Sequence, residues 1–229
     1  SKGKPFINLL PLDEGETITT VMKLPECEDD CKDMSIMFAT SQGNVRRNSL
    51  MDFVNVQSNG KIAMKLDEGD KLINVRICHE DNDIMLAARS GKCIRFPVTD
   101  VRVFVGRNST GVRGIKLAEG DEVISMSILL HSDATSEERD EYARIASAIK
   151  RISAERGDDS CVSPEDTGLL NVLTTEKYKE MAEREQFILS VTSTGYGKRT
   201  SSYEYRVTGR GGQGIALSLI HISEPTRPY

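Results

Sequence analysis

Several residue types in this chain could do chemistry, and their spacing separates them. His79, His131 and His221 lie far apart, with no nucleophile motif beside any of them. A Ser-His-Asp or Cys-His site needs nucleophile, base and orienting group in one constellation, and nothing in the sequence points to one. The cysteines, Cys27, Cys31, Cys78, Cys93 and Cys161, are odd in number and irregularly spaced. Cys27 and Cys31 form a lone C-x-x-x-C, short of the roughly four ligands of a structural zinc site, so reduced thiols are expected. The acidic clusters Glu26–Asp33 and His79–Asp83 offer oxygens to a hard cation. Each precedes an apolar strand, however, where a polar surface turn belongs. Gly209–Gly214 (GRGGQG) lacks the Lys-Ser/Thr ending of a phosphate loop, and no helix pattern follows it. Its backbone amides could still meet a phosphate, with Arg210 supplying charge.

The basic residues say more, because they recur. Arg46 and Arg47 follow Gly43 by three and four positions, and Lys198 and Arg199 follow Gly195 in the same way. Lys92 and Arg95 follow Gly91 by one and four. A second set occupies the connecting loops: Lys61, then Arg107 and Arg113, then Arg206 and Arg210. Matched positions in a repeated array fall on one rim, so these residues are expected to form a basic track that meets phosphates rather than bases. Aromatic residues make up only 5% of the chain, which disfavours base stacking on single strands.

The elements that must carry this track repeat as well. Ile36–Ser49, Ile84–Pro97 and Phe187–Ser201 each read as strand, Gly turn and strand. Their turn glycines, Gly43, Gly91 and Gly195, are 48 and 104 residues apart. A second phrase recurs as LDEGETITTV (Leu12–Val21), LDEGDKLINV (Leu66–Val75) and LAEGDEVISM (Leu117–Met126), an acidic-Gly turn between strands. A period near 50 residues with several strands per unit signals a propeller-like array. The fold expected is mainly β: a propeller-like β-pinwheel of repeated four-stranded blades, incomplete, with an inserted α-helical hairpin.

The insertion spans residues 131–186. Tyr142, Ile145, Ile149 and Ile152 form one apolar helical stripe, Thr135 and Glu138 resemble a capping box, and Gly157 is a C-terminal stop. A second helix carries Tyr178, Met181 and Ala182 on one side. The hairpin is expected to project from the β array and to be dispensable for its folding. Residues 132–186 hold a net charge of −6 against −5 for the whole chain, which leaves the rest at +1. The acidic hairpin could therefore gate a basic surface by repulsion. Residues 1–130 hold the end of one blade and two fuller ones, and residues 187–216 start another. The stretch 217–229 lacks the strand-turn grammar and resembles a translated sequencing adapter. The chain opens without Met or signal peptide, in what reads as mid-domain, so a fragment is expected. No apolar run approaches the roughly 20 residues of a membrane helix.

The blocks INLLPLDEGETIT, FATSQGNVRR, GKIAMKLDEGDKLI, GKCIRF, VGRNSTGVRGIKLAEGDEVIS and TSTGYGKRTSSYEY resemble the C-terminal domain of bacterial DNA gyrase A. The resemblance covers about three quarters of the chain, leaving out the insertion and the tail. It implies a β-pinwheel that bends double-stranded DNA around a basic rim, so that ATP-driven strand passage introduces negative supercoils. By resemblance, the DNA-binding set is Arg46, Arg47, Lys61, Lys92, Arg95, Arg107, Arg113, Lys198, Arg199 and Arg210. The resemblance further implies a parent type IIA topoisomerase, a heterotetramer with two copies each of gyrase A and gyrase B, cytoplasmic and nucleoid-associated, without a membrane. ATP and Mg would be used elsewhere in that enzyme; no cofactor, metal or catalytic residue is expected in this stretch. The family's seven-residue box belongs to a blade upstream of Ser1, and GRGGQG is assigned to a later loop. Tyr196, Tyr203 and Tyr205 lie in strand text and are not given the DNA-cleaving role. Two alternatives stand beside this: the homologous domain of topoisomerase IV, and a non-catalytic propeller for protein interaction.

Overall fold

The computed structural model describes residues 3, 12, 14–26, 28–55, 60, 62–106, 108–156 and 162–217. Three antiparallel hairpins occupy the predicted places. They pair β1 (Ser35–Thr40) with β2 (Asn44–Ser49), β4 (Asn82–Ala88) with β5 (Lys92–Pro97), and β8 (Phe187–Val191) with β9 (Gly197–Ser201). In each, the turn glycine donates its N–H to the carbonyl three residues back: Gly43 to Thr40, Gly91 to Ala88 and Gly195 to Thr192, all at 3.0 Å. The acidic-Gly turns at Gly69 and Gly120 lead into β3 (Leu72–Cys78) and β7 (Val123–Leu130). The short helix α1 (Glu28–Cys31) precedes β1.

Two short strands, β6 (Val112–Arg113) and β10 (Ile215–Ala216), give the architecture its character. The first sheet runs β3-β1-β2-β6 and the second β10-β5-β4-β7. Strand β6 therefore follows the second hairpin in the chain but completes the sheet of the first. Likewise β10 follows the third hairpin and completes the sheet of the second. The two exchanges share one register. Val112 faces Val45 and Arg113 faces Asn44; Ile215 faces Cys93 and Ala216 faces Lys92. Gly114 then donates to Gly43 at 2.8 Å, and Leu217 to Gly91 at 2.6 Å. Leu217, assigned from sequence to the tail, thus takes the place that Gly114 has one repeat earlier. The entry to each exchanged strand needs glycine. Gly111 and Gly214 have φ of +88° and +72°, and a Cβ on either would come within 2.3–2.4 Å of the carbonyl oxygen of Val45 or Cys93.

Period-2 alternation fills two clusters from β1, whose six residues are all buried. Met37 and Ala39 join the main core with Val45, Ile84, Leu86, Ile94, Phe96, Ile115 and Val123. Ile36 and Phe38 pack the other way, with Cys31, Leu50 and Val75. This compact unit takes the described residues up to Leu129 and from Val207 onward.

A second compact unit, Leu130–Arg206, contains α2 (Ser136–Arg156), α3 (Thr175–Arg184) and the β8–β9 hairpin. The capping box is present: Glu138 N–H donates to Thr135 Oγ1 at 3.2 Å and Thr135 N–H to Glu138 Oε2 at 2.7 Å. Tyr142, Ile145, Tyr178 and Met181 are buried as the stripes require, whereas Ala182 is exposed; Gly157 lies outside the described residues. The helices do not project as an independent hairpin. Tyr203, just after β9, belongs to their core, stands edge-on to Tyr142 at 5.2 Å and donates its hydroxyl to Met181 O at 2.8 Å. A buried carboxylate ties the loop between the helices: Glu141 accepts from the amides of Asn171, Val172 and Leu173 at 2.8–3.0 Å. The Asn171 amide, ahead of the others, holds its carboxyl below the usual carboxylate range.

Candidate functional site

The arginines that recur after the hairpin turns do not all reach a surface. Arg46, Arg47 and Arg95 are 1%, 4% and 3% exposed, so the expectation of a solvent-facing rim does not hold for them. Their strands are covered on both faces, and the guanidinium groups are used inside. Arg47 donates to Ser35 Oγ at 2.9 Å and pairs with Glu80 at 2.7 Å. Arg95 pairs with the fully buried Asp83 at 2.8 Å. Their backbones form parallel bridges to Val103 and Val207, from the loop of the following repeat. Phe104 N–H donates to Arg47 O, and Thr208 N–H to Arg95 O, both at 2.8 Å. This position is therefore a fastening between consecutive repeats. Arg199 holds the same register opposite Leu189, as Arg47 does opposite Met37 and Arg95 opposite Met85. It is exposed, and its guanidinium lies 3.5 Å from the Phe187 ring centroid, at the place Ser35 and Asp83 fill in the other hairpins. Lys198 beside it is half-buried.

Lys92, Arg113 and Arg210 are exposed, as are Arg102 and Lys116, which the sequence reading did not single out. Backbone bonds along the exchanged strands tie the segments that carry three of them, Arg113, Lys116 and Arg210. Gly211 N–H donates to Gly114 O at 2.6 Å and Lys116 N–H to Gly212 O at 2.8 Å. Arg210 donates from Nε to Asp100 O at 2.9 Å and from Nη1 to Arg113 O at 3.1 Å. Those two bonds fix its plane and leave the rest of its five donors for an oxyanion. Arg102 stacks on Phe104 at 4.3 Å. Lys92 faces a counter-charge: burial raises the Asp121 carboxyl, but the Ser90 hydroxyl and amide, with Lys92, outweigh that and hold it below the usual range. Lys61 and Arg107 lie outside the described residues, and Arg206 is exposed. The signal for Arg102 and Lys116 is proximity to the exchange, which no local motif encodes.

Among the described residues no group of three or more His, Cys, Asp or Glu could hold a metal, and no helix is long and apolar enough to cross a membrane. Burial pushes the Cys78 thiol, against the pull of Arg47, and the Cys93 thiol up to about 11, away from reactive thiolate. A cavity of about 200 Å³ in the helical unit is lined by Arg139, Lys150 and Arg199, but Asp140, Glu185 and Glu204 line it too, so its charges balance and it does not select an anion.

A family model described as the DNA gyrase C-terminal domain, beta-propeller, matches residues 35–79, 82–129 and 186–220. Residues 130–185 fall outside it. The DNA gyrase A protein of Rickettsia bellii (strain RML369-C) is 52% identical over 93% of the chain and 23% of its own length. That of Granulibacter bethesdensis is 51% identical over 94% of the chain and 24% of its own length. For Escherichia coli (strain K12) the figures are 33%, 95% and 24%. The chain thus spans about a quarter of the length of the curated relatives it matches. The C-terminal domain of DNA topoisomerase IV superposes with a TM-score of 0.63 at 18% identity, over 93% of the chain and 49% of that structure. A DNA gyrase A C-terminal domain gives 0.60 at 21%, over 94% and 53%. At those identities the two structures speak to the fold, which is of the β-pinwheel kind.

Proposed function

The chain belongs to the DNA gyrase C-terminal domain, beta-propeller family, and from that premise we propose that it is a DNA-wrapping module of gyrase A. Duplex DNA bends along its basic surface and is presented to the strand-passing core of a parent type IIA topoisomerase. That enzyme, a cytoplasmic heterotetramer with two copies each of gyrase A and gyrase B, supplies the ATP hydrolysis, the Mg and the cleavage tyrosine, and the outcome is negative supercoiling. The observation that carries the reading is the set of exposed cations at the exchanged strands, Arg113, Lys116 and Arg210, with Lys92 opposite β10 and Arg102 exposed as well. Wrapping needs phosphate contacts spread along a surface and little base readout. Lys198 and Arg199 are assigned to DNA contact on the third hairpin, within the second unit, and Lys61 and Arg107 by sequence position. Arg46, Arg47 and Arg95 leave the contacting set and become its supports. Topoisomerase IV shares the fold, but relatives at 33–52% identity are gyrase proteins, which favours gyrase.

The test is the salt dependence of duplex binding by the chain, read by anisotropy, for the unsubstituted protein and for K92E/R113E/R210E. Each neutralised phosphate contributes about 0.9 to the slope of log affinity against log salt. Loss of three contacts should lower that slope by roughly 2.7, worth about 40-fold in affinity between about 50 and 200 mM salt. An unchanged slope in the triple variant overturns the assignment, and salt-independent binding by the unsubstituted chain favours a protein-interaction propeller instead.

A further inference from the structure

The two exchanged strands meet their host strands in one register, and the same chemistry is set out along it at both seams. One facing pair points into the unit. Val45 faces Val112 and Cys93 faces Ile215, with Val45 and Cys93 buried and all four apolar. Successive strand residues point to opposite faces, so the adjoining pair turns outward: Asn44 with Arg113 at the first seam, Lys92 with Ala216 at the second. Arg113, Lys92 and Ala216 are exposed and Asn44 is half-buried. Each outward pair thus sets one cation opposite one short uncharged side chain. The cation changes strands between the seams. In the first sheet the exchanged strand β6 carries it, and in the second the host strand β5 does. Neither the core nor the ladder calls for a charge here, since the core takes the other pair and the ladder uses backbone groups. Two cations at one seam would face each other directly, and like charges so placed destabilise a strand pair.

We propose that each seam carries one phosphate-binding place, formed by its outward register pair, and that the cation serves it equally from the exchanged strand or from the host strand. The proposal rests on the DNA-wrapping reading and specifies where in each repeat the duplex backbone is met. Directly opposed Cβ atoms lie only about 4.5–5.5 Å apart, so a long cation rising beside a short neighbour reaches nearly the same point from either strand. A phosphate contact carries charge and position but no sequence information, and it is indifferent to which segment of chain brings the charge. Lys92 and Arg113 are then the same contact in consecutive repeats, and Ala216 and Asn44 are its uncharged halves.

The experiment exchanges the two members of a pair. Duplex anisotropy across salt is read for the chain, for R113N and K92A, for the exchanged pairs N44R/R113N and K92A/A216K, and for K92A/I124K, each well below its thermal melt. Ile124 is 52% exposed on β7, at the opposite edge of the second sheet from β10, so K92A/I124K restores the charge away from the seam. R113N and K92A should each lower the slope of log affinity against log salt by about 0.9, which is roughly 3.5-fold in affinity between about 50 and 200 mM salt. Both exchanged pairs should recover the slope of the unsubstituted chain, and K92A/I124K should not. An exchanged pair that fails to fold is replaced by N44K/R113N or K92A/A216R, which must show the same recovery. Single variants that keep the full slope, exchanged pairs that bind no better than the single variants, or full recovery by K92A/I124K each overturn the seam as the place of contact. Absence of salt-dependent binding by the unsubstituted chain overturns the wrapping function itself, and the seam assignment with it.

Discussion

Replacing Arg95 by methionine separates the two meanings that a recurring arginine can have. In the structure Arg95 is 3% exposed and its partner Asp83 is wholly buried, with Nε and Oδ2 2.8 Å apart. Removing the cation strands a carboxylate in the interior, for which breaking a buried pair costs about 3–5 kcal/mol. The unit that holds the pair is of the order of 150 residues, so at about 2.1 cal/mol/K per residue the melting temperature should fall by about 10–16 °C. The compensated variant D83L/R95M, which replaces both charges by apolar groups, should recover most of that loss. Calorimetric or dichroic melts of the three proteins, with duplex affinity measured across salt well below each melt, give the reading. The slope of log affinity against log salt should be the same in all three, because Arg95 meets no phosphate. A melt within a degree or two of the unsubstituted protein, together with a slope reduced by about 0.9, would refute the argument and return Arg95 to the DNA-contacting set.

Other outcomes follow from the same geometry. Glu141 carries a depressed pKa, so its contribution to the helical unit is present above the unfolded-state value and lost as pH falls through the folded one. E141Q should destabilise the unit near neutral pH and flatten this acid limb, and an unchanged pH profile by amide exchange of residues 170–173 would contradict it. G111A and G214A each place a Cβ against a backbone carbonyl at a φ that favours glycine, and each should lower stability by about 1–3 kcal/mol. Melts unaffected by both changes would show that the exchanged strands enter their sheets some other way.

Much of this was legible in the chain, and the illegible parts have a common cause. The hairpins announce themselves through Gly43, Gly91 and Gly195, and the capping box of α2 through Thr135 and Glu138, because both signals are local. Burial of Arg47 and Arg95 is set by partners outside the motif: Ser35 and Asp83 across the hairpin, then Val103 and Val207 from a later repeat. The acid at Asp83, held in register with a recurring arginine, was the one available hint. Strands β6 and β10 are two residues long and pair across long separations, as Asn44 does with Arg113. No periodicity can mark so short a strand. Tyr203 read as strand text because its partners Tyr142 and Tyr178 come from helices far upstream.

The exchange of strands also decides where such a chain can grow. Between β5 and β6, or β9 and β10, the backbone must leave one sheet and complete another, held by glycines with no room for a side chain. Between an outer strand and the next hairpin it completes no other sheet. From β3 to β4 that link is only His79, Glu80 and Asp81, whereas from β7 to β8 the same link is residues 131–186, with two helices whose core Tyr203 completes from beyond β9. The helices lie at the link that carries no shared strand. The repeat thus has one permissive joint and one committed joint, and extra domains in chains of this design should be sought at the first.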